Sequence, residues 1–234
     1  MPKILKTYMF AIVLCLVCSL LLTAAATGLK QRQMKNVAVD RQRNILMAVG
    51  LLAETPTAGA AEIETLFNEK VKNIWVNSQG QVVDEAQRQE QDLPIYLYVP
   101  ESQLDAYVIP IDTTGLWGKI HGYLAIDQDG STVRGFTVYK HQETPGLGGE
   151  IEQAWFRKNF EGKQIVNAAG EFVAVGIAKG KVADGIPKEQ RPHYVDGISG
   201  ATLTGKYLSA GLQDILRDYE PVAVKLRQNV PLQH

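Results

Sequence analysis

At 234 residues, 45% hydrophobic and 21% charged, the chain has a globular composition, which excludes a wholly disordered, collagenous or multi-pass membrane protein. Its 24 basic and 25 acidic residues leave a net charge of -1, so no basic surplus points to nucleic acid as a partner. Two cysteines are too few for a disulfide framework and form no metal or haem motif.

Residues 7–29 carry no charge and, as a helix rising about 1.5 Å per residue, reach roughly 34 Å, enough to cross a hydrocarbon core of about 30 Å. Lys3 and Lys6 precede this run, and Ala24-Ala25-Ala26 offers a signal-peptidase pattern. The run is longer than a signal-peptide core, so a retained single-pass anchor over 1–29 is the expectation. Lys30, Arg32, Lys35, Arg41 and Arg43 follow it, and the local positive-inside rule would hold the remainder in the cytoplasm. That rule is weak for long domains. Both cysteines, Cys15 and Cys18, lie inside the span, so residues 30–234 hold no thiol, which suits an oxidising exterior. Val17 before Cys18 disfavours lipid attachment.

From 31 to 52, Val37, Val39, Ile45, Leu46, Val49 and Leu52 alternate with polar residues, predicting a helix that continues from the span. Thr, Gly and Pro break the pattern at 54–60. A second helix follows, carried by Ile63, Leu66, Phe67 and Val71. Together these form a helical stalk and domain edge over 30–72, ahead of a domain spanning 73–234. Strands are predicted at 74–76, 95–99, 106–109, 120–126 and 132–140, with Asp127-Gln-Asp-Gly130 as a hairpin turn. A helix at 150–159 turns Ile151, Ala154, Trp155 and Phe160 to one side, and a further strand covers 172–178. The last helix, 201–219, carries an apolar stripe of Leu208, Leu212, Ile215 and Leu216. Runs of strands with inserted helices predict an α+β fold with a mixed or antiparallel sheet and packed helices, preceded by one transmembrane helix.

His121, His141, His193 and His234 show no metal-ligand spacing, and no acid–base pair stands out as catalytic. Two segments rise above this background. His141-Gln-Glu-Thr-Pro-Gly-Leu-Gly-Gly149 leaves a strand and enters a helix; it is either an ordinary turn or a loop whose glycines admit a ligand to the backbone. Asp196-Gly-Ile-Ser-Gly-Ala-Thr-Leu-Thr-Gly-Lys206 sits at the start of the last helix. There free N–H groups and the positive dipole end converge on an anion, or Ser199 simply caps the helix. The embedded G-x-x-x-x-G-K is followed by Tyr207, not the Ser or Thr that holds Mg2+ in a phosphate-binding loop.

Asp196-Gly-Ile-Ser-Gly-Ala-Thr202 resembles the D-x-x-[ST]-G-A-T pattern of the covalent FMN-binding domain family, and Glu-Thr-Pro-Gly-Leu-Gly at 143–148 is similar to that family's second motif. Asp40-Arg-Gln-Arg-Asn-Ile-Leu46 after a single anchor resembles the C subunits of Na+-translocating NADH:quinone oxidoreductases. The G subunits of Rnf ferredoxin:NAD+ oxidoreductase complexes are the alternative. The resemblance implies FMN esterified through its phosphate to Thr202 by a separate, Mg2+-requiring flavin transferase that draws on FAD, with Asp196 in the recognition sequence. It also implies single-electron relay between an iron-sulfur centre and another flavin of the membrane partner subunits of the Nqr complex. NADH would bind elsewhere, and this chain alone would complete no reaction.

The expected cofactor contacts are Ser199, Gly200, Ala201, Leu203, Thr204 and Lys206 around Thr202, Glu143, Thr144, Gly146, Leu147 and Gly148 on the loop, and Trp117. Lys206 is either a counter-charge to the phosphate or a solvated side chain, and Trp117 either lies near the flavin ring or belongs to the core. The implied location is the bacterial inner membrane, with the soluble domain on the periplasmic or extracytoplasmic side. A function from another class, an anchored extracytoplasmic module that binds an anion without redox chemistry, would use the same glycines.

Overall fold

The computed structural model describes residues 2–52 and 58–232, so His234 and most of the break expected at 54–60 lie outside the described residues. The chain divides into two compact units, Met1–Asp40 and Arg41–His234. Helix α1, Lys3–Ala48, contains an apolar stretch long enough to cross a membrane. Helix α2, Ala60–Lys70, buries Ile63 and ends where Val71 turns extended.

The second unit is built on six antiparallel strands: β1 (Val71–Val76), β2 (Val82–Val83), β3 (Leu93–Tyr98), β4 (Ala106–Thr114), β5 (Lys119–Asp127) and β6 (Val133–Lys140), ordered β2-β1-β3-β4-β5-β6. Strands β4 and β5 are buried along most of their length because both faces are covered, and near-continuous apolar runs such as Ala106-Tyr-Val-Ile109 follow from that. The C-terminal helix α5, Thr202–Arg227, lays Leu208, Leu212 and Leu216 on the core. Residues 41–48 of α1 meet β6, where the Thr137 hydroxyl donates to the Asn44 carbonyl at 3.3 Å.

Three expected elements differ. The helix expected at 150–159 is a 3-10 turn, Gly148–Glu152, followed by α3, Ala154–Lys158, with extended Gln153 between them. That interruption resets the phase: Ile151, Phe156 and Phe160 are buried, while Trp155 is exposed and donates from Nε1 to Glu150. The strand expected at 172–178 shrinks to β7, Gly176–Ile177, because Ala174 takes a φ of 61° and the N–H groups of Val173 and Ala174 share the Ile165 carbonyl. Short α4, Val182–Gly185, follows, and β8, Tyr194–Val195, pairs parallel with β7. Helix α5 runs on past Tyr219 through Pro221, whose missing N–H is offset by burial of Val222, Ala223 and Leu226 and by a Lys225 Nζ bond to the Gly80 carbonyl at 2.8 Å.

Candidate functional site

Three segments meet at the end of the sheet where α5 begins. The β4–β5 hairpin closes over Gly115-Leu-Trp-Gly118, with the Gly115 N–H on the Gly118 carbonyl at 2.7 Å. Trp117, at its tip, is exposed and is not part of the core. After β6, Thr144-Pro145-Gly146-Leu147 makes a turn in which the Leu147 N–H reaches the Thr144 carbonyl at 3.1 Å and Gly146 has φ 74°. Proline second and a left-handed glycine third are the residues a type II turn selects. Ile198-Ser199-Gly200-Ala201 repeats the device, with the Ala201 N–H on the Ile198 carbonyl at 3.1 Å and Gly200 at φ 76°. The two turns interlock, since a Cβ at Gly200 would lie 2.8 Å from Leu147 Cδ2.

Helix α5 then starts without a cap. Its N-cap residue is Ala201, no side chain bonds into the first turn, and Ser199 stands exposed in the preceding turn, so the Ser199 cap is absent. The N–H groups of Thr202, Leu203 and Thr204 have no acceptor among the described residues, whereas that of Ala201 is taken by Ile198. No acidic residue of α5 itself lies in the first turn to offset the positive end of the helix. Thr202 is exposed there. Thr204, two residues on, is buried, and its Oγ1 donates to Glu143 Oε2 at 2.6 Å.

A cavity of about 220 Å3 is lined by Leu116, Trp117, Glu143, Thr144, Leu147 and Gly148 on one side and by residues 200–204 on the other. A larger cleft of about 1020 Å3 opens beyond Thr202, between residues 173–179, Tyr194 and the α5 face bearing Lys206, Ser209 and Gln213. Thr202 lines both. The structure thus gathers most of the expected contacts around the smaller cavity and puts Lys206 in the larger cleft with Thr202. It leaves two elsewhere, since Ser199 and Gly146 line neither cavity; the half-buried Asp196, expected in the recognition sequence, accepts the Val182 N–H at 2.7 Å, holding the start of α4. Leu116 and the 173–179 wall were not anticipated. Leu116 adjoins Trp117 in a Gly-bounded turn and could have been read with it; the wall carries no local signal, because only the fold brings it to α5.

The smaller cavity falls below the about 300–1,000 Å3 of a full ligand pocket, so a bulky ligand held at Thr202 extends past it. FMN fits these residues: the unpaired N–H groups would serve its phosphate, and the exposed apolar side chains of Trp117, Leu147 and Leu203 would offer a surface to its flat ring. Among the described residues no cluster of three or more His, Cys, Asp or Glu is placed to hold a metal.

Residues 115–217 match the FMN-binding domain family, a span that begins at the β4–β5 turn and ends within α5. Over 227 residues the chain is 36% identical to the C subunit of the Na+-translocating NADH-quinone reductase of Yersinia pestis, covering 85% of this chain and 83% of that protein. It is 33% identical to the C subunit of the Pseudomonas aeruginosa reductase, covering 86% and 87%. The crystal structure of the C subunit from Parabacteroides distasonis superposes with a TM-score of 0.71 at 30% identity, over 83% of this chain and 96% of that one. With this likeness along nearly its whole length, and with the interlocked turns and uncapped α5 inside the matched domain, the chain belongs to the family of C subunits of Na+-translocating NADH-quinone reductases.

Proposed function

We propose that the chain carries FMN as a phosphoester on Thr202 Oγ1 and relays electrons between redox centres of the other membrane subunits of a Na+-translocating NADH-quinone reductase during sodium pumping. The observation that carries this reading is the exposed Thr202 hydroxyl at an uncapped helix start with three unpaired N–H groups. Attachment requires a flavin transferase: a bond forms from Thr202 Oγ1 to the FMN phosphorus as the FAD pyrophosphate link breaks, AMP leaves, and the hydroxyl proton passes to a base of the transferase. Asp196, holding the segment ahead of this loop, keeps the recognition sequence in shape.

When bound, FMN supplies the electron transfer itself. The chain's part is to hold and surround it. The N–H groups of Leu203 and Thr204 stabilise the charge left on the phosphodiester, and Lys206, one turn into α5, adds a counter-charge from the cleft side. Trp117, Leu147 and Leu203 would offer the ring an apolar surface, with Thr144 and Gly148 lining the same cavity.

The apolar part of α1 anchors residues 1–29 in the bacterial inner membrane, followed by the stalk and domain edge at 30–72 and the FMN-binding domain at 73–234 on the periplasmic side. Protease added to intact spheroplasts then digests the domain; digestion only after the membrane is opened would reverse the orientation. Flavin fluorescence that stays with the chain on a denaturing gel supports covalent attachment. Flavin lost on denaturation would refute it.

A further inference from the structure

Glu143 is 4% exposed, the only ionisable residue among those lining the smaller cavity, and its two carboxylate oxygens are used separately. Oε1 accepts the Trp117 N–H at 2.9 Å, and Oε2 accepts the Thr204 hydroxyl at 2.6 Å. One side chain therefore ties the β4–β5 turn to the first turn of α5. Its own backbone is fixed as well: the Glu143 N–H donates to His141 Nδ1 at 3.1 Å, so His141 carries its proton on Nε2 and directs it at Glu152, 3.2 Å away.

Glycine encloses the carboxylate on two sides. A Cβ at Gly148 would lie 2.6 Å from both Glu143 Oε2 and Thr204 Oγ1, and a Cβ at Gly115 would collide with Glu143 Oε1. The backbone of both turns closes directly on the carboxylate. An ion pair with a basic side chain would neutralise such a group, but both of its partners here are neutral donors.

We propose that Glu143 is the positioning residue of the flavin site. Its carboxylate sets the spacing between the Trp117 turn and the Thr202 turn, and its negative charge at the cavity wall, bonded to no basic side chain, disfavours the added electron and so lowers the potential of the bound flavin. The proposal rests on FMN being held at Thr202. The carboxylate acts through Trp117, Thr204 and its field, with no bond to the flavin required.

The experiment uses the full-length chain, with and without the flavin transferase, as wild type and as E143Q, E143A and T204V. Gln keeps the size and an acceptor for the Trp117 N–H but removes the charge; T204V keeps the charge and removes one arm of the clamp. In the flavin-free chain, hydrogen exchange of the Trp117 amide is slow in wild type and E143Q and faster by at least tenfold in E143A. Equal exchange in all three overturns the clamp. Should E143A not fold, T204V provides that readout through the amides of the first α5 turn.

In the flavinylated chain, E143Q shifts the midpoint potential positive by about tenfold in the one-electron equilibrium, about 59 mV, whereas T204V leaves the potential near wild type and slows flavinylation several-fold. A potential in E143Q equal to wild type, or an equal shift in T204V, overturns the charge role. Absence of covalent flavin from the wild type would refute the Thr202 attachment and leave the exchange measurement to judge the clamp separately.

Discussion

Thr202 and Thr204 lie two residues apart on the first turn of α5 and face opposite surroundings: Thr202 is exposed, and Thr204, at 1% exposure, gives its hydroxyl proton to Glu143 at 2.6 Å. Two positions on a helix of 3.6 residues per turn are separated by roughly 200°, so one threonine must point outward when the other packs inward. A modifying enzyme can reach the outer hydroxyl without unfolding the helix. The inner one is already committed to the carboxylate.

The two threonines therefore respond differently to the same substitution. Thr202→Val removes an exposed hydroxyl and leaves stability within about 0.5 kcal/mol of wild type. Thr204→Val leaves a buried carboxylate oxygen without its donor and costs about 1.5–3 kcal/mol. The buried carboxylate partner, 61 positions away, sets that cost. Urea unfolding of the flavin-free variants measures both.

Much of the fold was legible because its signals are local. The alternation and apolar runs of β1 and β3–β6 mark strands, and the Leu208, Leu212, Leu216 spacing marks α5. What escaped depends on tertiary support. Pro110 reads as a strand end, yet it lies within β4 opposite Tyr123, beyond the stretch paired with β3, where one edge of the strand tolerates a missing N–H. Pro221 likewise lies inside α5 because the core beneath it outweighs one lost bond. At the site, the two Gly-containing turns were visible as motifs, but their mutual packing through Leu147 and Gly200, and the Glu143 clamp, join residues more than 25 positions apart and leave no local trace.

The glycines of the loop after β6 have separable tasks. Gly146 has a left-handed φ with nothing within 4 Å of a Cβ, so Gly146→Ala costs about 1–2 kcal/mol through backbone conformation alone. At Gly148 the new methyl would enter the Glu143–Thr204 contact, and overpacking of about 1–3 kcal/mol is joined by loss of the clamp. Hydrogen exchange at the Trp117 amide distinguishes them: faster in Gly148→Ala, unchanged in Gly146→Ala.

Alkaline stability tests the core. Burial pushes Tyr107, Tyr123 and Tyr219 well above their ordinary 10.0, so the folded protein keeps them neutral where the unfolded chain ionises. Their contribution is complete below pH about 10 and drains as pH rises through that value. The Tyr107 hydroxyl is also buried without a hydrogen-bond partner among the described residues. Tyr107→Phe should gain about 1 kcal/mol at pH 7 by removing that unpaired group, and its stability should fall less steeply above pH 10 in urea titrations.

Covalent attachment at Thr202 is read most directly by intact-mass measurement and peptide mapping of the full chain co-expressed with a flavin transferase, as wild type, Thr202→Val and Ser199→Ala. The wild-type chain carries one FMN phosphoester, on the peptide containing Thr202; Ser199→Ala carries it on the same residue, with slower modification at most; Thr202→Val carries none while keeping the wild-type unfolding transition. Full flavinylation of Thr202→Val, or an adduct mapped to Ser199 or Thr204 in the wild type, would contradict the assignment of the site.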